Sequence, residues 1–220
     1  MSTLKAILFD FDGVIIDSET PEYQIWQNTL ARFGVSLPLH EWARGVGSSL
    51  DAFDPLVYLE EKIGQAVDRQ ILLQDHKKKL EEALQDKPPL PGVRETILSA
   101  YRLGLRLAIA SSASKSWVTA HLEKFGLSSY FDAICTQEDV PEVKPAPHLF
   151  QLALHRLSVQ ASEAIVIEDS PNGLLAAKQA GIFCIAVPNP ISAQLDLSGA
   201  DLILPSLEHL DLIQFQLPDE

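Results

Sequence analysis

Six short stretches of the chain are apolar at successive positions: Lys5–Phe9, Leu105–Ala110, Ala133–Cys135, Ala164–Ile167, Phe183–Val187 and Asp201–Leu204. Strands buried on both faces of a parallel sheet read this way, because neither face alternates towards solvent. Between several of them the period lengthens to that of a helix, over Val93–Leu103, Ser116–Phe125, Pro147–Leu157 and Asn172–Ala180. Gly126 and Gly181 stand where two of these helices stop, as expected for left-handed C-terminal caps. The strand–helix alternation predicts an α/β fold, a doubly wound (Rossmann-like) parallel sheet. Such sheets bind ligands beyond the carboxyl ends of their strands.

One stretch breaks the rhythm. From Ser18 to Lys87 there is no buried-strand pattern, and helical periodicity runs near Glu22–Phe33, His40–Arg44, Leu50–Ile63 and Asp68–Leu84. It ends at Pro88-Pro89-Leu90-Pro91-Gly92, a stiff, turn-rich hinge. The expected organisation is a core of residues 1–17 and 88–220 with an all-helical insertion at 18–87.

Composition narrows the function. A net charge of −13 repels a phosphate backbone and an anionic bilayer, so neither nucleic acid nor membrane is an expected partner. No apolar run approaches the ~18 residues that span a bilayer, and the N-terminus lacks the cleavage site of a signal peptide. Cys135 and Cys184 both lie in apolar runs and read as buried free thiols. These features fit a cytoplasmic protein, a monomer or weak homo-oligomer.

Four polar elements sit at strand ends. In Phe9-Asp10-Phe11-Asp12-Gly13, residues two apart point the same way in extended chain, so Asp10 and Asp12 can share a pocket; the bland alternative is a surface turn. Ser111 and Ser112 follow the second strand at a turn whose hydroxyl and N–H groups suit a phosphate oxygen, while Ser114 reads equally as a helix cap. Lys144 precedes Pro145-Ala146-Pro147, a stiff segment that could fix its ammonium near an anion or leave it exposed before a helix. Glu168 and Asp169 sit at the tip of a buried strand, where two carboxylates are costly without a cation. Oxygen-only donors favour Mg²⁺ over zinc. Ser170 suits a helix N-cap.

Taken in this order, the four elements resemble the four motifs of the haloacid dehalogenase-like superfamily, in its phosphatase branch with a helical cap after the first motif. The run Asp169-Ser-Pro-Asn-Gly-Leu-Leu-Ala-Ala-Lys-Gln-Ala-Gly181 is similar to the beta-phosphoglucomutase and phosphoglycolate-phosphatase-like group. The resemblance implies a Mg²⁺-dependent phosphatase of a small phosphorylated metabolite, a sugar phosphate or a phosphoglycolate-like compound. It implies Asp10 as nucleophile and Asp12 as acid/base. It implies Mg²⁺ ligation by Asp10, the Asp12 carbonyl, Asp169 and Glu168, and phosphoryl contacts from Ser111, Ser112 and Lys144. Asp12 favours phosphate transfer over dehalogenation, since an alkoxide needs a proton and a halide does not.

A sugar-phosphate mutase is the neighbouring reading. Mutases of this kind carry a histidine and an arginine where Glu22 and Ser49 stand here, which favours a phosphatase. The helical stretch from Ser18 to Lys87 holds twelve acidic and eight basic residues. Glu22, Arg44 and Ser48 are its candidates for substrate contact; Lys77-Lys78-Lys79 reads as a solvated helix face. Two readings of another class are a phospho-receiver domain and a catalytically idle binding module. The inserted helices disfavour the first, and the full set Asp10, Asp12, Ser111, Lys144 and Asp169 disfavours the second.

Overall fold

The computed structural model describes residues 3–48 and 52–215. Six parallel strands form one sheet: β1 (Ala6–Phe9), β2 (Arg106–Ala110), β3 (Ala133–Cys135), β4 (Ala164–Glu168), β5 (Phe183–Ala186) and β6 (Leu202–Ile203). Their order is β3-β2-β1-β4-β5-β6, so the chain winds outward in both directions from β1. This is the doubly wound sheet expected from the apolar runs.

Strand parity sorts the core. Ile7 and Phe9 of β1 face one side with Leu107, Ile109, Ile165 and Ile167, packed by α5 (Val93–Arg102) and α6 (Lys115–Phe125). Ala6 and Leu8 face the other with Ala108, Ala110 and Val166, packed by α7 (His148–Leu157) and α8 (Pro171–Gln179). Both faces are covered, which is why these strands lack polar alternation. Each fully buried Leu or Ile contributes ~1.5–3 kcal/mol of apolar burial.

Among the described residues, four α-helices lie between β1 and α5: α1 (Glu19–Ala31), α2 (Leu39–Trp42), α3 (Pro55–Ile63) and α4 (Arg69–Leu84). Among the described residues they share a third apolar cluster built on Tyr23, Trp26, Leu30, Trp42, Leu56 and Leu59. Two helix starts differ from the periodicity by three residues or more. Helix α1 starts three residues earlier than expected, since Pro21 is tolerated in a first turn whose N–H groups need no intrahelical acceptor. Helix α3 starts at Pro55 and not at Leu50, because Asp54 before the proline is extended and its side chain caps Leu56 N–H and Val57 N–H.

Candidate active site

Asp10 follows the last residue of β1, and its N–H continues the ladder to the Ile167 carbonyl of β4 at 2.9 Å. The chain then turns back, with the Gly13 N–H on the Ile16 carbonyl at 2.7 Å. Gly13 has φ +83°, and a Cβ there would lie 2.4 Å from Asp169 Oδ2, so only glycine lets the β1 loop approach the β4 loop this closely. A second glycine does the same at α8, where a Cβ on Gly173 would lie 1.8 Å from Glu168 Oε1.

These approaches bring three carboxylates together. Asp10, Glu168 and Asp169 are all buried and present oxygens within 4.8 Å of one another. At that separation like charges repel by ~3 kcal/mol per pair at an effective dielectric of ~20. Lys144, only 1% exposed, lies among them. Its ammonium donates to Asp10 Oδ1 and, at 2.6 Å, to Glu168 Oε1. Glu168 Oε2 accepts from the N–H groups of Asp169 (3.0 Å) and Ser170 (3.1 Å) and from the Ser170 hydroxyl (3.0 Å). Asp169 Oδ2 accepts from Asn189 Nδ2 at 2.7 Å, and its Oδ1 is buried with no hydrogen-bond partner.

One ammonium against three carboxylates leaves an excess of negative charge. Burial, reinforced by Glu168 and Asp12 and opposed by Lys144, pushes the Asp10 carboxyl up to about 8. Burial, with Glu168 and Asp10 beside it, also drives Asp169 well above the usual carboxylate range. Surplus negative charge, hard oxygen donors and the orphaned Asp169 Oδ1 together fit a hard divalent cation. Glu168 has both oxygens engaged by protein donors, so Asp10 and Asp169 have more free donor capacity toward an ion.

Asp12 sits in different surroundings. Its Oδ1 accepts from the Ser18 hydroxyl at 2.6 Å and from Trp117 Nε1 at 3.0 Å. Burial raises its pKa, while these two hydrogen bonds oppose the rise. The two aspartates thus differ in kind, one bound to a buried ammonium and the other to neutral donors.

Asp10 and Asp12 open onto a cavity of about 320 Å³ between the sheet and the helical insertion, also lined by Glu19, Glu22, Ser48, Ser111 and Ser112. Ser111 is buried, and its Oγ accepts from Ala113 N–H at 3.0 Å. The Ser112 hydroxyl donates to the Gly47 carbonyl at 3.2 Å, and Ser48 Oγ donates to the Lys144 carbonyl at 2.6 Å. Both hydroxyls therefore fasten the insertion to the core. Arg44 is not brought to the cavity: it pairs with Glu41 at 3.1 Å and its side chain is 63% exposed. Ser49 lies outside the described residues. Ser114 and Ser170 are helix caps, accepting from Trp117 N–H and Gly173 N–H.

Sequence reasoning singled out neither Ser18, Glu19, Trp117 nor Asn189. Asn189 lies between Pro188 and Pro190 just past β5, the next strand end along the sheet from β4, which was a usable signal. Trp117 gave none, since it falls inside a helix whose apolar residues read as core.

The family model described as haloacid dehalogenase-like hydrolase matches residues 7–187. The chain belongs to that family. It is 39% identical to YhcW of Bacillus subtilis (strain 168) over 95% of this chain and 94% of that one. It is 31% identical to hexitol phosphatase B of Escherichia coli (strain K12), over 96% and 97% of the two chains. The crystal structure of a CbbY variant from Rhodobacter sphaeroides in complex with xylulose-(1,5)bisphosphate superposes with a TM-score of 0.74 at 27% identity, over 94% and 96%. A beta-phosphoglucomutase from Clostridium difficile superposes at a TM-score of 0.77 but is 22% identical over 96% and 95% of the two chains, a likeness of fold alone. This haloacid dehalogenase-like chain is a hydrolase of the phosphatase kind, with the family's parallel sheet and a helical insertion after β1. No described helix is long and apolar enough to cross a membrane.

Proposed function

We propose that the protein is a Mg²⁺-dependent phosphatase of small phosphorylated metabolites, sugar phosphates above all, acting through an aspartyl-phosphate on Asp10. The observation that carries this is the contrast between Asp10 and Asp12: two carboxyl groups at one strand end, facing one cavity, one held by a buried ammonium and the other by neutral donors. Hexitol phosphatase B and the other sugar-directed relatives support the substrate class.

Asp10 attacks phosphorus as the ester P–O bond breaks, and the Asp12 carboxylic acid passes its proton to the departing alkoxide. Asp12, now a carboxylate, takes a proton from the water that hydrolyses the aspartyl-phosphate and is restored to the acid. Lys144 and Ser111, with Ser112, meet the phosphoryl oxygens at the ends of their strands. Asp10, Asp169 and the Asp12 carbonyl would hold Mg²⁺, with Glu168 keeping Lys144 and the β4 loop in position. The ion would supply positive charge against the carboxylates and the phosphate dianion. Residues 18–87 act as a cap over the core of residues 1–17 and 88–220, excluding water and reading the alcohol. Two buried free thiols fit a reducing cytoplasm, with the protein working as a monomer or weak homo-oligomer.

Hydrolysis of p-nitrophenyl phosphate tests the reading. Activity is expected with Mg²⁺ and not in excess chelator, and Asp10→Asn should lower it by at least about a thousandfold. Undiminished turnover by that variant would falsify the mechanism.

A further inference from the structure

Helix α1 brings two carboxyl groups to the cavity. Glu19 and Glu22 lie three residues apart in the first turn of α1, on one helix face, and both line the cavity. Glu19 is 8% exposed, and among the described residues no donor or cation reaches its carboxyl group. Glu22 Oε1 lies 3.6 Å from Nε2 of His76, a buried imidazole stacked on Trp26 with ring centroids 4.3 Å apart.

Among the described residues no lysine or arginine lines this cavity. Arg44 is engaged by Glu41, and Lys79 by Asp75 at 2.7 Å. Lys144, beneath the floor, is committed to Asp10 and Glu168. Residues 49–51 are Ser, Leu and Asp, so they add no cation. The cap side of the cavity therefore offers two carboxyl groups and the apolar side chains of Trp42 and Phe53 in place of a counter-charge.

We propose that Glu19 and Glu22 select the leaving group: they hydrogen-bond with the hydroxyls of a polyhydroxy alcohol phosphate, and this cavity rejects substrates whose far end carries a carboxylate or a second phosphate. The inference rests on the phosphatase reading and names the substrate class that this cap admits. A second anion finds no counter-charge on this side of the cavity and faces Glu22, whereas a neutral hydroxyl hydrogen-bonds with either carboxyl group and replaces its bond to water.

Matched pairs test it. Glucitol 6-phosphate and 6-phosphogluconate differ at C1, a hydroxymethyl in one and a carboxylate in the other; fructose 6-phosphate and fructose 1,6-bisphosphate differ by one phosphate. The neutral member of each pair should have the higher kcat/KM by at least about tenfold, the ratio that ~1.4 kcal/mol corresponds to. Glu22→Arg should narrow or invert that ratio. Glu22→Gln, which preserves shape, should narrow it even if the arginine variant does not fold. p-Nitrophenyl phosphate carries neither sugar hydroxyls nor a second anion and reports on the phosphatase reading alone. If it is hydrolysed with Mg²⁺ while the members of each pair react equally, or while none of them reacts, the selection by Glu19 and Glu22 is overturned and the phosphatase reading stands. If it is not hydrolysed, both fall. A ratio unmoved by Glu22→Gln overturns the assignment to Glu22.

Discussion

At the scale of single residues, Asp12 is held by donors that belong to no motif. Trp117 comes from α6 and Ser18 from the residue before α1, and together they fix one carboxylate oxygen. General acid–base help of this kind contributes ~10²–10⁴ in rate, and its share depends on the leaving group. A nitrophenolate departs without a proton, while the water that follows still needs a base. Asp12→Asn should therefore release about one equivalent of nitrophenolate in a burst and then turn over slowly. Stopped-flow absorbance reads this directly. A steady rate equal to wild type, with no burst, would remove Asp12 from the proton transfer that activates the water.

At the scale of elements, the cap meets the core through a short loop after α2. Val46 O accepts from Asn172 Nδ2 at 2.8 Å, and Gly47 O and Ser48 Oγ bond to the β2 and Lys144 loops. Gly47 has φ +75°, and a Cβ on it would lie 1.9 Å from Ser170 Oγ. Gly34 has φ +74° with nothing within 4 Å of such a Cβ. Alanine costs about 1–2 kcal/mol in backbone strain at either position, but only at Gly47 does it push the loop off the core. Gly47→Ala should lose at least about tenfold in kcat/KM, while Gly34→Ala should lose stability and keep its activity. Equal kinetic losses in the two variants would remove the loop from substrate closure. These elements also show how far the pattern of residues reads. The six strands and the strand-end motifs were legible because burial on both faces leaves an unbroken apolar run and polar groups interrupt it only at the tips. The cap loop was not, since Gly47 and Ser48 act through core atoms more than sixty residues away in sequence. The same holds for Trp117 on Asp12, 105 residues apart. Nothing local encodes such a contact.

For the whole molecule, the buried carboxylates couple stability to pH and to the metal. Burial raises the pKa values of Asp10, Asp12, Glu19 and Asp169 above those of the unfolded chain, Asp10 to about 8. The folded state then binds more protons than the unfolded state at the same pH. The contribution of these groups is complete below the ordinary carboxylate range of ~4 and is lost as pH rises through the folded values. A net charge of −13 adds self-repulsion in the same direction. In chelator, the melting temperature should accordingly fall between about pH 6 and about pH 8. Mg²⁺ takes the ionised carboxylates and competes with those protons, so its stabilising increment must grow across that window. At a hundredfold excess over Kd it contributes ~2.7 kcal/mol, roughly 5–10 °C for a chain of this size. Asp169→Asn, which removes the orphaned oxygen's charge, should shrink the increment at the higher pH and leave the chelator melt less dependent on pH. Thermal melts with Mg²⁺ and with chelator at the two pH values measure all of this. An increment that is the same at both, or larger at the acid one, would mean that the cation does not compete for these carboxylates.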